Sequence, residues 1–326
     1  MSKAKYNNPF SATVNGILDL FRKQEAIGVL KDEDRLDGKR CLVTGANSGL
    51  GFAVAQQMAE RGAEVFMACR SGIPEAGEQI KKASGSEQIT MLKIDLSTIK
   101  SIHAFIADVK ARGLQFDVAV FNAAVVPGGA QKTEDGFDQM FMVNYLSKFI
   151  LVNGLLEIGA LKKGSSRLIF VNSESHRTNQ EIDFDQLGVF EEYNMGKVIS
   201  LYGYYKLLLN VFASELSRRQ NYPTFQFSIF ALCPGPVNSN IARAAPKFIL
   251  PILKFIFGIF FSSPSKAAAP VMYLACSPSL EGSSDVYLHL MSKKEMDAKA
   301  LDVETGRKLW EKSEKLLNRF AAASGV

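Results

Sequence analysis

Short apolar, β-branched runs alternate along this chain with helical segments of ten residues or more, and this narrows the fold further than any other feature. The runs are CLVTG (41–45), EVFMACR (64–70), ITMLKIDL (89–96), FDVAVFNAA (116–124), SRLIFVN (166–172) and FQFSIFALCP (225–234). Helical patterns cover 50–61, 98–111, 138–161 and 199–219. A run without polar alternation is a strand buried on both faces, and strands joined through helices pair in parallel. The expected fold is therefore α/β: one doubly wound (Rossmann), mostly parallel sheet of about seven strands with helices on both faces. No repeat of solenoid period and no low-complexity linker divides it. The pattern gives an N-terminal helical extension at 1–37, one α/β domain at 38–300 and a C-terminal helix at 301–326.

Composition removes other classes. With 47% hydrophobic and 22% charged residues and a mean hydropathy of +0.03, the 326-residue chain is neither disordered nor a multi-span membrane protein. A scattered net charge of +5 gives no reason to expect a nucleic-acid partner. Cys41, Cys69, Cys233 and Cys276 lie far apart without a C-x-x-C pair, and His103, His176 and His289 form no H-E-x-x-H. Neither a disulfide framework nor a metal site is expected, and the compartment is read as reducing. The first ten residues lack the charged and apolar regions of a secretory signal, so the expected location is cytoplasmic.

The first strand runs into Thr44-Gly45-Ala46-Asn47-Ser48-Gly49-Leu50-Gly51 and then a helix. Glycines spaced this way allow a tight turn and close backbone approach to a pyrophosphate, which the helix N-terminus attracts. The second strand ends in Cys69-Arg70-Ser71, with no carboxylate to accept from the ribose hydroxyl of NAD. A guanidinium at Arg70 suits a 2′-phosphate, so NADP(H) is expected over NAD(H).

Tyr202 and Lys206 lie one turn apart on one helix face. A neighbouring ammonium stabilises a phenolate, which makes the pair a proton donor and acceptor for a carbonyl or an alcohol. Ser173 leaves the fifth strand where open α/β sheets bind ligands, and its hydroxyl is placed to bond a developing oxyanion. A nucleophilic Ser175 beside His176 is disfavoured, because the G-x-S-x-G elbow is absent.

Together these motifs resemble the short-chain dehydrogenase/reductase superfamily over about 38–290. The resemblance assigns Gly45, Asn47, Ser48, Gly49, Leu50 and Gly51 to the cofactor phosphates, and Asp95 with Leu96 to the adenine ring. Asn122, Ala123 and Ala124 stand in the family's N-N-A-G segment, with Phe121 for its first asparagine and Ala124 for its glycine. Pro234, Gly235, Val237 and Ser239 stand in P-G-x-V-x-T, with Ser239 for the threonine that contacts the nicotinamide amide. Asn144, Ser173, Tyr202 and Lys206 match the catalytic tetrad; Tyr202 and Lys206 also belong to the cofactor site, and Asn144 is expected to hold a water leading to Lys206.

Ser173 and Tyr202 are 29 residues apart, a lengthened interval that looks like retinol dehydrogenases, the WW-domain oxidoreductase and light-dependent protochlorophyllide reductases. The implied function is NADP(H)-dependent hydride transfer to or from an apolar, retinoid-, steroid- or lipid-like substrate. The alternative is an NADP-binding scaffold or sensor without turnover at a membrane surface. The run FILPILKFIFGIFF (248–261) is too short to span a membrane. It is read either as part of a substrate lid over about 238–264 that dips into an intracellular membrane surface or as a buried helix. Val14, Ile17, Leu18 and Phe21 mark a short amphipathic helix that packs on the domain or meets a membrane or partner. The helices at 138–161 and 199–219 are candidates for pairing into a homo-oligomer, as in the superfamily.

Overall fold

The computed structural model describes residues 26–178, 180–237 and 262–324; the helix expected near 10–21, Ser239 and the run 248–261 lie outside the described residues. In chain order come β1 (Arg40–Thr44), α1 (Gly49–Glu60), β2 (Glu64–Cys69), α2 (Glu75–Ser84), β3 (Ile89–Lys93), α3 (Ile99–Ala111) and β4 (Val118–Phe121). Then follow α4 (Ser147–Glu157), β5 (Arg167–Val171), α5 (Met195–Asn221), β6 (Ser228–Cys233), α6 (Ala269–Cys276), β7 (Val286–His289), β8 (Ser292–Lys293) and α7 (Val303–Ser324). Among the described residues eight strands make one sheet, ordered β3-β2-β1-β4-β5-β6-β7-β8 and parallel except at the β7-β8 edge. The doubly wound α/β fold read from the sequence is the fold observed, with one short antiparallel strand more than expected.

Strand residues alternate between two cores, as the pleat requires. Leu42, Phe66 and Phe170 face a cluster built with α3, α4, α5 and α7. Cys41, Val43, Val65 and Ile169 face the other, built with α1, α2 and α6. Burial on both faces is why β5 and β6 carry no exposed residue.

Four helices differ from the sequence reading. Helix α6 was not expected at all. Neither was α2; EAGEQIKKAS buries little beyond Ala76, Gly77 and Ile80, too little for a visible period. Helix α5 starts at Met195 rather than 199, because the Asn194 side chain caps it by accepting from the Gly196 N–H. The segment at 138–161 is not one regular helix. A turn at Gln139–Phe141 passes into a π-helical turn at Met142–Leu146 before α4 begins. Such a turn holds one extra residue and re-aims the side chains that follow it.

Helix α7 lies across α4 and α5. Trp310 packs on Phe149 (ring centroids 5.0 Å) and Phe212 (5.7 Å), with the Arg219 guanidinium 4.3 Å above its ring. The Tyr145 and Ser313 hydroxyls meet at 2.6 Å. Truncating a buried tryptophan leaves a cavity that its neighbours only partly fill. Trp310→Ala should therefore cost about 3–5 kcal/mol in urea unfolding. An unchanged midpoint would show that α7 is not part of the cooperative fold.

Candidate active site

The strand order reverses between β1 and β4, and the loops leaving these two strands part at the carboxyl edge of the sheet. The glycine turn fills the β1 side of this crevice. Gly45 and Gly49 have φ of +66° and +57°, which side chains resist. A Cβ on Gly51 would stand 2.4 Å from the Gly45 carbonyl oxygen and 2.5 Å from Asn122 Nδ2. Ser48 caps α1 without a side-chain bond, and the first turn carries no acid, so the helix N–H groups and dipole face the crevice. Leu50 is buried behind the turn, and Asn47 Nδ2 reaches Ser71 Oγ at 3.4 Å.

Arg70 is exposed just past β2, and its carbonyl accepts from Lys93 Nζ at 2.5 Å. The sequence reading missed this second cation. Lys93 comes alongside through the β2-β3 register, which pairs it with Cys69. Asp95 follows β3, with Oδ1 accepting from the Ser97 N–H and Oγ at 2.9 and 2.6 Å; Leu96 is buried.

The segment after β4 is pinned along its backbone. The N–H groups of Asn122 and Ala123 share Thr44 Oγ1 at 3.0 and 3.2 Å, and Asn122 Nδ2 donates to the Thr44 carbonyl at 3.0 Å. Ala124 follows, and Val125 exchanges two bonds with the fully buried Asn144 amide: its N–H donates to Oδ1 at 2.8 Å, and its carbonyl accepts from Nδ2 at 2.9 Å. Each polar atom of the Asn144 side chain thus makes one bond to this loop. After β6, Pro234 leads to Gly235 at φ +77°, where a Cβ would strike Leu290, and Val237 bridges to Ser262.

Ser173, Tyr202 and Lys206 come together beside this crevice. Ser173 caps the short 3-10 turn Glu174–His176 at the end of β5, close enough to Tyr202 for its hydroxyl to favour the phenolate. Ser175 Oγ donates to Ser173 Oγ at 2.9 Å. Lys206 Nζ lies 5.7 Å from the centre of the Tyr202 ring and donates to the Val171 carbonyl at 2.9 Å. Close approach of α5 to the Ser173 turn requires Gly203, where a Cβ would stand 2.5 Å from the Ser175 carbonyl oxygen.

Electrostatics depart from expectation here. The phenol of Tyr202 is pushed above its ordinary pKa, chiefly by burial, then by Cys233, with the Ser173 hydroxyl opposing. The lowering expected from Lys206 does not prevail, because burial is the largest cause and Lys206 is not among the groups that shift the phenol. Burial also pushes Lys206 down to about 8, with Cys233 opposing.

Glu174 is the main buried charge that sequence reasoning missed. Its carboxylate accepts from Tyr287 Oη at 2.8 Å, Lys294 Nζ at 2.7 Å and Arg177 Nε at 3.1 Å. Partners 113 and 120 residues away leave no local signal. Burial alone would raise its pKa, but Arg177 and Lys294 hold it down to about 2. His176 Nε2 accepts from the Asp297 N–H at 3.1 Å, so Nδ1 donates to the Ser173 carbonyl at 2.7 Å. Burial keeps this ring neutral, with its pKa near 4. His176 therefore braces the turn and does not activate Ser175. Among the described residues no group of three or more His, Cys, Asp or Glu converges on a metal position.

A doubly wound sheet with a glycine cradle and a Ser-Tyr-Lys cluster at its carboxyl edge defines a class of dinucleotide-fold oxidoreductases. The family model for short chain dehydrogenase matches residues 39–182. Mouse retinol dehydrogenase 14 is 35% identical over 298 residues, covering 87% of each chain. Human retinol dehydrogenase 13 is 32% identical over 324 residues, covering 96% of each. A solved structure of a Mycobacterium paratuberculosis protein superposes with a TM-score of 0.68 at 25% identity, covering 89% of this chain and 97% of that one. The chain belongs to the short-chain dehydrogenase/reductase family, in its retinol dehydrogenase branch, and is an oxidoreductase of that family.

Removing the Glu174 charge takes a shared counter-charge from Lys294 and Arg177 in a half-dry site. Glu174→Gln should cost on the order of 3 kcal/mol at neutral pH. A depressed carboxyl stabilises fully above its ordinary value and loses that contribution as pH falls toward 2. The gap between variant and parent should therefore close below about pH 4.5, as read by urea unfolding across pH. A gap independent of pH would contradict the ionic role.

Proposed function

We propose that this protein is an NADP(H)-dependent oxidoreductase that interconverts a carbonyl and an alcohol on an apolar substrate, with Tyr202 as general acid and base. The observation that carries this reading is the meeting of Ser173, Tyr202 and Lys206 at the crevice edge beside a cradle that a Cβ at Gly51 would fill. The cradle suits a pyrophosphate. Gly45, Asn47, Ser48, Gly49, Leu50 and Gly51 would hold it, Arg70 the 2′-phosphate, Asp95 and Leu96 the adenine, and Asn122 to Ala124 with Pro234, Gly235, Val237 and Ser239 the nicotinamide half. When bound, the cofactor supplies or accepts hydride. Tyr202 gives its proton to the carbonyl oxygen, and burial, which keeps the phenol protonated, favours this direction. Ser173 bonds the same oxygen. Lys206 takes the ribose hydroxyls and stabilises the phenolate left behind.

An apolar substrate agrees with the outer end of α5. Met195, Ile199, Tyr202 and Lys206 form one stripe at helical spacing, and its outer members Met195 and Ile199 are 52% and 60% exposed. Retinol dehydrogenases, by name, act on such a molecule. Location in the cytoplasm at an intracellular membrane surface belongs to the same reading; among the described residues no helix is long and apolar enough to cross a membrane. Self-pairing would have to use parts of α4 and α5 that α7 does not cover.

Tyr202→Phe should leave NADPH binding near the parent value and cut reduction of apolar aldehydes by at least roughly a hundredfold. Retention of more than about a tenth of the activity would remove Tyr202 from the acid role. Arg70→Asp should weaken NADPH binding by at least about tenfold while sparing NADH, since it sets a carboxylate against the 2′-phosphate. Equal affinities for the two cofactors in variant and parent would free Arg70 of that assignment.

A further inference from the structure

Lys148 is 2% exposed, one turn beyond Asn144, and belongs to none of the roles above. Its Nζ donates to the Ala123 carbonyl at 2.6 Å and to the Val143 carbonyl, which also accepts from Ser147 Oγ at 2.9 Å. Among the described residues no carboxylate pairs with it, and the charge that it senses is Lys206. Burying an amine without a counter-charge is costly, and an apolar side chain of similar length would fill the space more cheaply. The amine contributes hydrogen bonds, and one of them ends on the cofactor loop.

That loop is held at successive backbone groups: Asn122 and Ala123 N–H on Thr44, Ala123 C=O on Lys148, and both groups of Val125 on Asn144. Ala123 also lies against Gly45, where an added Cβ would stand 2.9 Å from it. Asn144 lies within the π-helical turn and Lys148 two residues beyond it, so the turn's extra residue sets how the two clamps are aimed. Burial first and Lys206 second push the Lys148 amine well below the usual lysine range, and its bonds to the two carbonyls hold it in place.

We propose that Lys148 is a positioning residue: by fixing the Ala123 carbonyl it holds the Asn122–Ala124 loop against the glycine cradle, so that the nicotinamide of NADP(H) keeps one place relative to Tyr202. The proposal rests on the function proposed above. Its test compares Lys148→Met and Lys148→Gln with the parent as full-length proteins. Melting temperature, NADPH affinity and bound-nicotinamide fluorescence anisotropy are measured beside kcat on an apolar aldehyde.

Lys148→Met should melt at or above the parent temperature, since it removes a buried amine. It should keep NADPH affinity close to the parent's through the untouched glycine turn and Arg70, yet lose kcat by at least about tenfold, as small misplacements of reacting groups do. Bound nicotinamide should lose anisotropy. Lys148→Gln, which retains a donor, should fall between the two. Parent-like kcat and anisotropy in folded Lys148→Met would overturn the proposal, and failure of both variants to fold would assign Lys148 to structure alone and overturn it too. A parent that binds NADPH without turnover overturns the proposed function, while the anisotropy comparison still decides Lys148. A parent that binds no NADPH overturns both.

Discussion

Parallel pairing from β3 to β7 brings the carboxyl ends of these strands to one edge of the sheet, and the rest of the architecture depends on that. Thr44, Cys69, Phe121, Val171 and Cys233 close their strands there. The reversal between β1 and β4 then parts the loops and opens a crevice along the same edge. Segments far apart in sequence thereby share one site: the glycine turn after β1, Arg70 after β2, Asn122 after β4 and Ser173 after β5. Helix α5 crosses this edge closely enough to set Tyr202 and Lys206 beside Ser173, and the missing side chain at Gly203 permits the approach.

Such an edge gathers polar groups that burial would penalise, and the molecule answers by pairing them. Thr44 Oγ1, the Asn144 amide and Lys148 Nζ tie down the backbone of the loop after β4. Glu174, Tyr287, Lys294 and Arg177 do the same for the turn that carries Ser173, and His176 adds a bond to the Ser173 carbonyl. Ser173, Tyr202 and Lys206 sit on this braced frame, and burial acts on the proton affinity of the latter two. Burial holds the proton on Tyr202 and loosens it on Lys206. Positions fixed before reaction are what electrostatic catalysis requires.

The strands were legible because β1, β5 and β6 are buried on both faces and read as unbroken apolar runs. Gly45, Gly49 and Gly51 were legible because their turn has a local chemical need, and Tyr202 with Lys206 because helical spacing relates them directly. Contacts made by topology were not. Lys148 reads as an ordinary solvated lysine until the π-helical turn aims it at Ala123, and Lys93 meets Arg70 through the β2-β3 register alone. Glu174 finds its partners on β7 and next to β8, more than a hundred residues on. The direction of the Tyr202 shift also needed the fold, since burial outweighs what spacing implied.

The central claim is that this carboxyl-edge crevice brings hydride, proton donor and an apolar carbonyl together. Transfer of an isotopic label tests it most directly. The protein is incubated with NADPH deuterated at the transferring position and a set of retinoid-like and long-chain aldehydes, and the products are read by mass spectrometry. The account predicts one deuterium on the alcohol carbon for each NADPH consumed. Tight NADPH binding with no labelled alcohol from any aldehyde would contradict it and leave a dinucleotide-binding protein without turnover.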